Sequence, residues 1–136
     1  MPLDCTSGSV IHIKDFKSEN FDPADKFVFI VGQLDRNTAV AFLITTQAWN
    51  GTMRPGEIVQ LEQAAKGFPR KKCYIQCFDL HRLDINDLQA DFVNRNIQNC
   101  GNLGKGVLQK VLDVVADSDL LPQNDIQLVF EVLKDL

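Results

Sequence analysis

No stretch of this chain approaches the roughly 20 apolar residues that cross a bilayer, and its start, Met1-Pro2-Leu3-Asp4, has neither the basic nor the apolar region of an export signal. A cytosolic protein that does not engage a membrane is therefore the expectation. Standard catalytic signatures are missing as well: there is no G-x-x-x-x-G-K-S/T loop, no G-x-S-x-G elbow, no H-E-x-x-H and no strand-borne G-x-G-x-x-G. A cofactor enzyme is not expected. Only two histidines, His12 and His81, accompany the four cysteines, and Cys73 and Cys77 are separated by three residues instead of the two usual in metal and redox pairs. Without an export signal a disulfide framework is not expected either, so the cysteines read as buried core thiols and no metal site is assigned. Basic charge is in short supply, with a net charge of -4. That excludes a surface acting as one continuous phosphate trap, since non-specific nucleic-acid binding rests on clustered Lys and Arg. Arg70-Lys71-Lys72, with His81 and Arg82 downstream, is the one concentrated basic stretch; it reads either as a solvated turn and strand end or as a local phosphate-facing patch.

What is present suits a single domain: 136 residues, 45% of them hydrophobic, with no internal repeat, linker or low-complexity segment. Val10-Ile11-His12-Ile13 is a short β-branched strand after Ser7-Gly8-Ser9, and the polar stretch from Phe16 to Asp25, with Asp22-Pro23, reads as a loop. Lys26-Phe27-Val28-Phe29-Ile30-Val31 is an unbroken apolar run of strand length, which implies burial on both faces. Turn residues from Gly32 to Asn37 lead into Ala39 to Thr46, so these two strands form an antiparallel hairpin that brings Lys26 beside Thr45 and Thr46. Asn50-Gly51 and Arg54-Pro55-Gly56 mark turns before a strand over 57–61, and a polar connection over 63–70 leads to the alternating strand Cys73 to Cys77. His81-Arg82-Leu83 reads as a further short strand, Asp84 to Leu88 as a helical turn capped by Asp84, and Asn94 to Gly106 as a loop. Val107, Leu108, Val111, Leu112 and Val115 share one helical face. The last segment fits a helix capped by Asp125, with Val129, Val132, Leu133 and Leu136 on one stripe; Ile126, Leu128, Phe130 and Val132 also alternate as a strand would. The reading adopted is a helix, giving a mainly β (α+β) domain.

The order of these pieces over Ser9 to Asp117 resembles the PemK/MazF family of ribonuclease toxins. Asp25-Lys26-Phe27-Val28-Phe29-Ile30-Val31 occupies the place where family members enter a hydrophobic strand through a basic residue and a proline. Phe42-Leu43-Ile44-Thr45-Thr46 resembles their next strand, which ends in threonine. The segment from Lys72 to Asp84 is similar to their strand, hinge and short helix, and Gly101-Asn102-Leu103-Gly104 to the G-x-L start of a C-terminal helix.

The resemblance implies a small SH3-like bent antiparallel sheet or barrel of the PemK/MazF/CcdB type with a C-terminal helix. It further implies a metal-independent endoribonuclease that cuts single-stranded RNA, forms a homodimer and is held in check by a small protein antitoxin. The family uses an arginine at the strand entrance and a threonine at the end of the next strand; by position these roles fall on Lys26 and Thr45. A phosphodiester attacked by its own 2′-hydroxyl gains negative charge, which a fixed cation and a hydroxyl donor stabilise. Lysine supplies a point charge without the planar fork of arginine, and Phe27 stands where the proline usually follows. Trp49 and Tyr74 offer stacking surfaces for single-stranded RNA beside Arg70, Lys71, Lys72, His81 and Arg82; Trp49 also fits a lid over the core or a contact to a second subunit. Lysine in place of arginine, together with the acidic balance, equally fits a catalytically silent barrel of the same shape that binds a protein partner.

Overall fold

The computed structural model describes residues 3–18, 21–45, 55–61 and 73–136. Its centre is the hairpin of β2 (Phe21–Gln33) and β3 (Thr38–Thr45), joined by the Leu34–Asn37 turn in which the Leu34 N–H donates to Thr38 O at 2.8 Å. β1 (Ser9–Ser18) precedes it; a 3₁₀ turn (Pro55–Glu57), β4 (Ile58–Leu61), β5 (Cys73–Asp84), α1 (Ile85–Val93), β6 (Ile97–Asn102), α2 (Gly104–Ala116) and α3 (Gln123–Val132) follow. Among the described residues six strands form one sheet in the order β4-β5-β3-β2-β1-β6, antiparallel at every pairing, and curl into a half-barrel. Among the described residues no helix is long and apolar enough to cross a membrane.

The unbroken apolar run in β2 is explained by burial on both sides. Phe29 and Val31 join Val40, Phe42, Ile44, Ile75 and Cys77 on the face covered by α2 and α3, through Leu108, Val111, Val115, Val129 and Leu133. Val28 and Ile30 point the other way, with Ile11, Ile13, Ala41 and Ile97, and meet Cys5 and Leu88 of α1. All four residues from Val28 to Val31 are fully buried. α3 lies so close to β2 that a Cβ added at Gly32 would collide with Val132 and press on the Ser7 hydroxyl.

Several elements depart from the sequence expectation. The described residues of the segment over 16–25 are strand, not loop: β1 runs to Ser18, and β2 starts at Phe21. Pro23 is tolerated there because it lies beyond the terminal β2–β3 pair, Phe27↔Ile44, where among the described residues β2 pairs with β1 alone. Irregular register between Ile13, Phe16 and Ser18, with Asp15 at φ 54, bends this arm. The segment over 94–106 is also not a loop throughout: Ile97–Asn102 is β6, an edge strand paired with β1. Its Gln, Asn and Gly content has little strand preference; the backbone of β1 and the burial of Ile97 and Cys100 hold it instead. His81–Leu83 belongs to the single long strand β5. Asp84 does cap a helix, accepting from the N–H groups of Asn86 (2.8 Å) and Asp87 (3.1 Å), but α1 extends to Val93. The last element is a helix, with Pro122 and not Asp125 at its N-cap.

Candidate functional site

In an antiparallel sheet, residues directly opposite one another on neighbouring strands show their side chains on the same face. Ile97 lies opposite Ile13, and Ile13 opposite Lys26. The β2–β3 register runs through Val28↔Leu43 to its last pair, Phe27↔Ile44, so Lys26 and Thr45 are the next residues of their strands beyond that pair, on the face of Val28 and Leu43. Thr45 pairs with Tyr74, and Tyr74 with Gln60. Ile97-Ile13-Lys26 and Thr45-Tyr74-Gln60 thus form the two halves of a rung on the face away from α2 and α3, and they meet where the β2–β3 pairing ends.

Burial changes steadily along this rung. Ile97 and Ile13 are buried at 2% and 6% exposure, Lys26, Thr45 and Tyr74 are half-buried, and Gln60 is exposed. The row is closed at its apolar end and open at its polar end. Strands spaced about 4.8 Å apart put Lys26 and Gln60 roughly 14 Å from each other. An ammonium, an aliphatic hydroxyl, a phenol and a carboxamide therefore stand side by side, with Val28 and Leu43 as the same-face neighbours of the first two on a buried, apolar side. A cation and hydroxyl donors with apolar surroundings on one flank suit a group that carries or develops negative charge, because partial exclusion of water strengthens their field.

The other sequence-derived candidates distribute differently. His81 shares this face but lies opposite Ala41, four residues along β3 from Thr45, or about 13 Å up the strand. Its ring meets Phe16 of the bent β1 arm edge-on, with centroids 5.8 Å apart and planes at 77°. Its Nε2 is shielded from solvent and lies 3.3 Å from Asp79 Oδ2, in ion-pair range but outside hydrogen-bond geometry. Arg82 is on the opposite face, where its Nη2 donates to Asp125 Oδ1 at 2.8 Å and ties β5 to α3. Trp49, Arg70, Lys71 and Lys72 lie outside the described residues.

All four thiols are buried and unbridged. Cys73 and Cys77 share the helix-covered face, and burial, helped by the nearby Glu57 carboxylate, pushes the Cys77 thiol up to about 12. Burial raises Cys5, Cys73 and Cys100 as well. Among the described residues no three His, Cys, Asp or Glu side chains gather as metal ligands would. A separate cavity of about 280 Å³ lies between the Ser7 turn, the start of α2 and the end of α3; Leu108, Val132, Leu133 and Leu136 line it with one cation, Lys105, and one anion, Asp135.

Two residues of consequence escaped the sequence reading. Gln60 completes the rung, yet only the β4–β5 register places it there. Glu57, 3% exposed, is a buried carboxylate: its Oε2 accepts from the Ser118 hydroxyl at 2.5 Å and its Oε1 from the Asp119 N–H at 2.8 Å, fastening the 3₁₀ turn ahead of β4 to the chain beyond α2. The polar spacing of Glu57 and Gln60 in an otherwise apolar segment was the available signal. Compared with models of known protein families the chain matches none, and a search among curated proteins finds no match.

Proposed function

We propose that this chain is a metal-independent endoribonuclease of the PemK/MazF type, cutting single-stranded RNA on the open face of an SH3-like bent sheet. The observation that supports the reading is that Lys26 and Thr45 are the first residues of their strands beyond the last β2–β3 pair, Phe27↔Ile44, on the same face as Val28 and Leu43. In the reaction, the 2′-oxygen of a ribose attacks the adjoining phosphorus while its proton passes to a base. The bond to the 5′-oxygen breaks, and that oxygen takes up a proton, leaving a cyclic phosphate and a free 5′-hydroxyl. The Lys26 ammonium faces the charge gathering on the phosphoryl oxygens, and the Thr45 hydroxyl donates to the same group. Tyr74, next on the rung, offers a ring against which a base stacks.

In this reading the protein works in the cytosol as the toxin of a toxin–antitoxin pair, as a homodimer whose RNA groove a small protein antitoxin fills. Purified protein incubated with single-stranded RNA in excess chelator is expected to cut it, and expression of the chain is expected to arrest growth. Lys26→Ala and Thr45→Ala should each reduce cleavage by about a hundredfold or more, on the scale of losing one transition-state donor, without changing thermal unfolding. Undiminished cutting in both variants would remove the assignment. An inert wild-type protein that still captures a partner would leave a protein-binding barrel in its place.

A further inference from the structure

We infer that the cavity between the Ser7 turn, the start of α2 and the end of α3 binds a free α-amino acid with an apolar side chain, such as leucine. Its buried lining belongs to the helix-covered side of the sheet, away from Lys26 and Thr45, so the inference does not depend on the ribonuclease reading.

The cavity measures about 280 Å³, just under the roughly 300–1,000 Å³ of pockets that take drug-sized ligands. Its occupant is therefore small. Leu108 and Leu133 line it as buried residues beside Val132, while Leu136, 40% exposed, leaves much of its apolar surface uncovered. Lys105 and Asp135 bring opposite charges to the same space. Among the described residues neither has an ion-pair partner, and Lys134, next to Asp135 in the chain, gives its ammonium to Glu131 at 3.1 Å.

These features select among ligand chemistries. A simple anion would be repelled by Asp135, a simple amine by Lys105, and an uncharged apolar molecule would strip water from both charges without replacing it. A zwitterion satisfies both at once, its carboxylate toward Lys105 and its ammonium toward Asp135, while an aliphatic side chain covers the leucines. Lys105 stands in the first turn of α2, where the positive end of the helix dipole adds to its own charge. The enclosure is built from within the fold. Asn102 donates from Nδ2 to Ser7 O at 3.0 Å and accepts at Oδ1 from the Gly104 N–H at 2.7 Å, fixing the Ser7 turn to the start of α2. The close approach of Val132 to Gly32 sets the position of α3 in the same way.

The test is an amide NMR titration of the isotopically labelled full-length protein with leucine and with analogues that each lack one feature: isocaproate the ammonium, leucinamide the carboxylate, glycine the side chain. Leucine should bind saturably, with the shifts gathered on Gly104, Lys105, Leu133 and Leu136. Each analogue should bind about tenfold more weakly or worse, the size of one hydrogen bond to a charged group or of a buried aliphatic side chain. Lys105→Gln should weaken leucine and not leucinamide; Asp135→Asn should weaken leucine and not isocaproate. Both side chains are exposed, so both variants should unfold at the wild-type temperature. Absence of saturable leucine binding, shifts centred elsewhere, an analogue without one charge that binds as tightly as leucine, or full leucine affinity in both variants overturns the inference.

Discussion

Replacing Glu57 by alanine should cost more stability than any surface change in this protein. The carboxylate is almost wholly buried and accepts two hydrogen bonds, from the Ser118 hydroxyl and the Asp119 N–H; Ser118 in turn accepts from the Leu121 N–H at 3.0 Å. Hydrogen bonds to a charged acceptor contribute about 1.5 to 3 kcal/mol each, and unpaired buried donors carry their full desolvation cost. Against this, removal relieves the burial of a charge that has no cation paired with it among the described residues. A net loss of about 3 kcal/mol results. With an unfolding entropy near 2.1 cal/mol/K per residue, a chain of this length loses roughly 10 °C in Tm. Glutamine keeps an acceptor for the Asp119 N–H and turns an amino group toward Ser118, so Glu57→Gln should lose only about 1 kcal/mol, or roughly 3 °C. Calorimetry and urea unfolding of the two variants measure both values, and hydrogen exchange should show the larger loss in Glu57→Ala concentrated in β4. A Glu57→Ala protein melting within a degree or two of wild type, or a glutamine variant as damaged as the alanine one, would refute the reasoning.

Alkaline pH should weaken the fold through Cys77. Its thiol titrates near 9.0 when unfolded and about 12 when folded, so the folded state holds the proton more tightly. The contribution is complete below pH 9 and is lost as pH climbs from 9 toward 12; by pH 10 it has fallen by about 1.4 kcal/mol. Urea midpoints at pH 8 and 10 should therefore converge in Cys77→Ala relative to wild type, and equal losses in the two proteins would count against the burial argument. Gly32→Ala should destabilise by about 1 to 3 kcal/mol through overpacking against Val132, and Val132→Ala should cost less in that background than in wild type; additive unfolding energies would show that the close approach is not felt. Arg82→Ala and Asp125→Ala should each lower Tm by only about 3 °C, because the pair is partly exposed and contributes about 1 kcal/mol. The double variant should be no worse than either single one, and a fully additive double-mutant cycle would mean the two side chains do not interact.

Much of the central architecture was legible because it follows from counting. The apolar run over 26–31, the turn residues before Thr38 and the next apolar run define an antiparallel hairpin, which the structure shows paired from Gln33↔Ala39 to Phe27↔Ile44. Arg82 shows where counting fails. Strict alternation from Cys73, Ile75 and Cys77 puts His81 on their face and Arg82 on the other. The β3–β5 register instead jumps from Ile44↔Ile75 to Phe42↔Leu80, and the extra residues of β5 reset its parity, so Arg82 turns toward α3 and His81 toward Phe16. Nothing local in the sequence announces that irregularity. β6 was hidden for another reason: its polar, glycine-containing residues gain strand structure from a partner far along the chain. Gln60 was hidden likewise, because its neighbour on the rung comes from a strand beyond the next connection.

The placement of β1 between β2 and β6 has a consequence for biosynthesis. β1 finds its first neighbour within the same hairpin, but its second arrives only after about 90 further residues have been made. At ribosomal speeds of about 5–20 residues per second, that outer edge waits for several seconds with its backbone unpaired. During the wait Ile11 and Ile13 lack the cover of Ile97. The nascent polypeptide thus exposes an adhesive border early and seals it late, which makes the Ser9–Ile13 stretch the natural landing place for a chaperone acting during translation.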